Sequence, residues 1–145
     1  MGIKLPSRAV LALTSLGFLS FGLGYAIWPM AMASLTEIPL PTPTARIDFA
    51  ATYGGLQLGF GLFLLICARR SGWTEPGLWA AVAALSGLVV IRLASLAAVG
   101  GHPTRPIWVG LALELGAALA NAGALASLRR GTGRGATQAG HPGVA

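Results

Sequence analysis

Four apolar runs, at residues 9–30, 47–68, 78–99 and 106–128, restrict this chain more than any other feature of it. Each matches the roughly 20 helical residues that cross a bilayer. The composition closes off the soluble alternative: 54% of the 145 residues are hydrophobic and 10% are charged, where an ordinary soluble domain carries about 25% charge. Four carboxylates and ten basic residues cannot clothe a core this rich in Leu and Ala, so lipid must do so. The expectation is an all-α membrane protein: one domain over residues 1–130, with four transmembrane helices in an antiparallel up-down bundle. The connections are TEIPLPTPTA (36–45), RRSGWTEPG (69–77) and GGHPTRP (100–106), short enough to keep consecutive helices as neighbours. Residues 131–145, rich in Gly and poor in apolar side chains, are expected as a disordered cytoplasmic tail.

The net charge of +6 would suit nucleic acid if it were spread over one face, but it is not. Lys4 and Arg8 precede the first run, Arg69 and Arg70 follow the second, and Arg129, Arg130 and Arg134 follow the fourth. That is a topology signal and excludes a nucleic-acid surface. The other two connections carry only Arg46 and Arg105, so the positive-inside rule places both termini in the cytoplasm of a bacterial inner membrane. Trp28, Trp73, Trp79 and Trp108 fall near helix ends, where interfacial aromatics belong. Ala31-Met32-Ala33 resembles a signal-peptidase site, but the preceding apolar stretch exceeds a signal core of about 7–15 residues, so the first helix is read as retained.

Ionisable residues inside the runs are the candidates for function. Arg92 lies seven residues before Val99, and Glu114 eight residues after Pro106. At about 1.5 Å per residue both sit roughly 10–12 Å below the outer surface, on helices joined by a short loop. Each charge alone would cost about 2.5–3.5 kcal/mol at helix centre, so the two are expected to pair. Tyr53 and Gln57, four apart on one face of the second run, reach a comparable depth. Tyr25 adds a polar group from the first, on a stripe with Thr14, Phe18 and Phe21. Asn121 shares the Glu114 face with Gly110, Ala117 and Ala118, a small and polar surface suited to helix contact. Gly55 and Gly59 form a GxxxG spacing that permits close packing, read first as contact within the chain and otherwise as contact with another copy. Cys67, the single cysteine, is read as a packing residue, and His102 and His141 lack paired ligands, so no metal and no cofactor is expected.

These residues resemble a bacterial family of small four-helix membrane proteins known as domain of unknown function 4345. The resemblance rests on a charged segment leading into YGGLQLGFGLFLL (53–65), on Arg92 and on Glu114, and covers roughly residues 8–130. It implies a four-helix integral membrane protein and carries no activity. No nucleophile with a nearby base, no paired carboxylates and no phosphate-binding loop stand in the sequence, so an enzyme is not expected. The first functional reading is a structural or accessory bundle fixed by an intramembrane Arg–Glu cluster. The alternative is a binding protein or transporter for an amphipathic small molecule or lipid, its site in the outer half. Membrane lipids are partners in either case, and a homodimer or a larger membrane complex stays open.

Overall fold

The computed structural model describes residues 7–100 and 103–138, with side chains described up to Arg130. Lys4, His102, His141 and residues 139–145 lie outside them. The described chain is helical with no strand: α1 (Ser7–Ile27), α2 (Pro29–Leu35), α3 (Pro43–Phe49), a π-helical turn (Ala50–Gly55), α4 (Leu56–Arg69), a 3₁₀ turn (Ser71–Trp73), α5 (Thr74–Val99) and α6 (Arg105–Gln138). Four segments are long and apolar enough to span a membrane: Ser7–Ile27, Pro43–Arg69, Ser71–Val99 and Arg105–Arg130.

Local chemistry explains where these segments differ from the expected 9–30, 47–68, 78–99 and 106–128. Span one stops at Ile27 because Trp28 precedes Pro29 and is pushed out of the helical region, with φ −123° and ψ 58°. Pro29 then opens α2, a short helix not foreseen from the sequence. A Schellman arrangement ends α2: Ile38 N–H donates to Ala33 O at 3.0 Å and Glu37 N–H to Ser34 O at 3.3 Å. Glu37 occupies the left-handed position at φ 58°. Span two begins early, at Pro43, because the Thr42 hydroxyl accepts from the Ala45 N–H at 3.1 Å and caps the helix. Within span three α5 begins at Thr74, its first turn tolerating Pro76, and ends where Gly100 turns at φ 68°.

The backbone of α6 runs on to Gln138, so residues 131–138, expected within the disordered tail, are helical. Once a helix exists, each added residue gains a hydrogen bond without a new nucleus. The glycines at 131, 133 and 135 weaken that gain but keep their N–H donors.

The exterior is inverted relative to a water-soluble protein. Leu13, Ile47, Leu56, Leu62, Val90, Ile91, Leu113 and Leu119 are all more than half exposed, a burden that water does not tolerate and that lipid accepts. Trp28, Trp73, Trp79 and Trp108 are exposed near the ends of the spans.

Packing is built from two seams. Along α1 and α4, a Cβ at Gly22 would stand 2.7 Å from the Leu58 backbone N, one at Gly54 2.8 Å from Ala26 N, and one at Gly61 3.0 Å from Leu19 N. Backbones therefore touch where these three glycines lie. The buried Ser15 hydroxyl adds a bond to Gly61 O at 2.7 Å. Along α5 and α6, Arg92 pairs with Glu114 and Glu75 with Arg129. In both seams, later residues on one helix meet earlier ones on the other, so each pair of helices runs in opposite directions.

Gly55 and Gly59 take no part in this packing. Both are exposed, and a Cβ on either meets nothing within 4 Å. The contact within the chain expected of them is made instead by Gly54, Gly61 and, across from them, Gly22. A stripe of small residues states that close approach is permitted; which face turns inward is set by helix rotation.

The principal core lies in one half of the bundle, where Leu11, Leu64, Cys67, Leu78, Ala81 and Leu125 meet. That half contains the start of α1 and the end of α6, tied by the Ser7 hydroxyl to Ala124 O at 3.1 Å. At the other end Ala33, Leu40 and Phe49 form a small second core beneath α2, with Tyr25 and Met32 against it. The triplet Ala31-Met32-Ala33 thus lies inside a packed element, with Ala33 buried.

Candidate functional site

The last buried residue of α5 is Val89, and the first of α6 is Ala118. Between them, toward the connecting loop, no described residue of this helical pair is buried. The α1/α4 seam by contrast stays closed as far as Gly22 and Gly54. The α5/α6 hairpin is therefore firmly seated at one end and loosely packed at the other. Arg92 and Glu114 lie at that transition, one turn beyond Val89 and Ala118 respectively.

The Arg92 guanidinium engages Glu114 with two parallel hydrogen bonds. Nε donates to Oε2 at 2.8 Å and Nη2 donates to Oε1. This fork-to-fork geometry fixes direction as well as distance, which an ammonium would not. Gly110, one turn before Glu114, leaves the surface clear beneath the guanidinium: Cζ and Nη2 would each stand 3.6 Å from a Cβ placed there. The pair is shielded without being enclosed, its side chains 28% and 16% exposed. Nη1 has no hydrogen-bond partner among the described residues.

A groove of about 760 Å³ opens beside the pair. It follows Gly87, Leu88, Ile91, Ser95 and Val99 of α5 and reaches Ile107 at the start of α6. Arg92 is the one charged residue on its wall.

The tyrosines gather nearby. Tyr25, half-buried, lies within electrostatic reach of Tyr53, Arg92 and Glu114. Its ring centre is 5.7 Å from that of Tyr53, and Phe49 stands 5.5 Å from Tyr25 and 4.7 Å from Tyr53. Such spacings are those of interacting rings. Tyr53 belongs to the π-helical turn and is 43% exposed. Neither phenol hydrogen-bonds to a described residue.

The other two sequence candidates make no hydrogen bond to the pair. Gln57 is partly buried and its side chain makes no hydrogen bond to a described residue. Asn121 is completely buried two turns from Glu114, where its Nδ2 donates to Thr14 Oγ1 at 2.7 Å and to Ala117 O at 2.8 Å. Thr14 passes its own proton to Val10 O at 3.0 Å, which leaves Asn121 Oδ1 without a donor among the described residues. Asn121 therefore links α1 to α6 and is a tie within the bundle.

Sequence reasoning took Phe49, inside the expected second span, for one more apolar residue, and overlooked both the start of that span at Pro43 and the π-helical turn. The Thr42-Pro43 cap was the signal that would have moved the boundary. At the opposite end of the bundle, Arg129 donates to Glu75 Oε1 at 2.8 Å and lies over Trp79, while Arg70 lies over Trp73. These contacts fix basic side chains at the membrane boundary and belong to anchoring.

The family model described as domain of unknown function (DUF4345) matches residues 6–125. No curated protein and no solved structure matches the chain.

Proposed function

Because the chain belongs to the DUF4345 family of unknown function, we propose its role from the geometry: a membrane-embedded binding protein for an amphipathic molecule, without catalysis of its own. The Arg92–Glu114 pair serves the polar end and the groove along α5 takes the apolar body. One observation carries this reading. The pair is only partly enclosed, Arg92 lines an apolar groove, and its Nη1 has no hydrogen-bond partner among the described residues. Intramembrane ionisable groups at a cavity are functional candidates in general.

The bidentate bond itself favours a second reading, the structural or accessory bundle, since it fixes the register of α5 against α6. One preparation separates the two. Protein extracted in a mild detergent is examined by native mass spectrometry, beside the double variant Arg92→Leu/Glu114→Leu. The binding reading expects an adduct of lipid-like mass on the natural protein that is lost from the double variant. Copurifying proteins with no such adduct would support the accessory role.

We further propose that both termini face the cytoplasm of a bacterial inner membrane. The support is the order along the chain: Lys4, Arg8, Arg69, Arg70, Arg129, Arg130 and Arg134 flank the N-terminus, the second connection and the C-terminal segment, against Arg46 and Arg105 beside the other two connections. Cys67 is free and completely buried, so a cysteine introduced at Thr104 or at Ser71 reports alone. Impermeant maleimide applied to intact cells is expected to label Thr104→Cys and spare Ser71→Cys; the reverse pattern would invert the orientation.

A further inference from the structure

Net charge gathers at one end of this bundle. A single core joins Val10 of α1, Ala68 of α4, Leu78 of α5 and Leu125 of α6, so Arg8, Arg69, Arg70, Arg129 and Arg130, which flank it, stand at the same end. All five are exposed, and Glu75 is the one carboxylate there. At the opposite end Glu37 and Asp48 balance Arg46 and Arg105. We infer that the basic end selects anionic phospholipids from the adjoining leaflet and holds their phosphate groups. This depends neither on the groove beside Arg92 nor on which side of the membrane that end faces.

The donors are available and at the right depth. The side chains of Arg8, Arg69, Arg70 and Arg130 make no hydrogen bond or ion pair with a described residue, while Arg129 is engaged by Glu75. The Arg70 guanidinium lies over Trp73 at 5.7 Å and that of Arg129 over Trp79 at 5.2 Å. Indoles settle at the level of the lipid headgroups, so the guanidiniums stacked on them share that level. Stacking occupies the face of a guanidinium and leaves the N–H groups directed outward in its plane. Phosphate oxygens accept such a fork in pairs. A zwitterionic lipid carries the same phosphate, but an end that is positive overall repels its ammonium; an anionic lipid has none to repel.

The test places full-length protein in nanodiscs of equal parts phosphatidylglycerol and phosphatidylcholine, with one or the other brominated, and reads tryptophan quenching. Trp28→Phe/Trp108→Phe leaves the tryptophans of the basic end as reporters, and Trp73→Phe/Trp79→Phe leaves those of the opposite end. The ratio of phosphatidylglycerol to phosphatidylcholine is expected to rise about fivefold at the basic end, the gain from one well-placed basic residue near an anionic surface, and to stay near the bulk value at the other. Adding Arg69→Gln/Arg70→Gln/Arg130→Gln is expected to return the basic end toward the bulk value. Equal ratios at the two ends, or a ratio that the triple substitution leaves unchanged, would overturn the inference. A preference abolished by inorganic phosphate at constant ionic strength would assign the arginines to free phosphate and overturn it equally. If the triple variant fails to fold, the comparison of the two ends with all arginines in place decides alone.

Discussion

Glu114→Leu is expected to destabilise the bundle by about 3 kcal/mol, the order of cost for an uncompensated charge within a membrane helix. The Arg92 guanidinium would lose both partners of its fork and cannot shed its proton. Arg92→Leu, which leaves the Glu114 carboxylate without its fork, is expected to cost a similar amount. The double variant Arg92→Leu/Glu114→Leu is expected to recover most of the loss, because two apolar side chains facing one another in lipid carry no such penalty. Reversible unfolding in mixed micelles, followed by maleimide labelling of the buried Cys67, measures all three. A double variant as unstable as the sum of the singles would show that the two residues do not act as a pair. The ordering also bears on function: if the double variant folds well yet loses a bound amphiphile, the pair is retained for its ligand and not for stability.

Gly54→Leu is expected to do at least as much harm, by about 3 kcal/mol or more, the upper end of overpacking costs. The nearest obstacle to a new Cβ is the Ala26 backbone N at 2.8 Å, and backbone cannot rotate aside as a side chain tip can. Gly22→Leu meets the same difficulty against Leu58 N at 2.7 Å. Gly55→Leu and Gly59→Leu provide the comparison. Nothing lies within 4 Å of a Cβ at either position, so the folded chain is expected to accept both within about 0.5 kcal/mol, as exposed substitutions generally are. The same unfolding assay reads the four variants. A loss at Gly55 or Gly59 as large as at Gly54 would mean that the exposed face is packed against another chain.

The contrast between Gly54 and Gly55 shows where sequence reading reached its limit. Gly55 and Gly59 have the familiar spacing and Gly54 and Gly61 do not, yet the latter two carry the seam. One residue of helix is about 100° of rotation, so a small error in setting turns a contact face into a lipid face. The π-helical turn from Ala50 to Gly55 compounds this, because its wider turn offsets the angles on either side of it. Arg92 and Glu114 were legible because they lie on consecutive helices joined by a short loop, where depth follows from counting residues. The partner of Asn121 was not, because Thr14 lies on the other side of the chain, 107 positions away, and no count along the sequence relates α1 to α6.

What the sequence determined by itself is the solvent and the spans. The cost of placing a helix in lipid is nearly a sum over its own residues, so four apolar runs and the positions of ten basic side chains suffice, whatever the neighbours are. Tertiary structure alone decided how those helices are rotated, which glycines touch, and that the α5/α6 pair loosens beyond Val89 to leave Arg92 on the wall of a groove. Those outcomes depend on fits between two surfaces at once, where a few tenths of an ångström separate contact from clash. A single strand of sequence does not contain that comparison until the helices are set side by side.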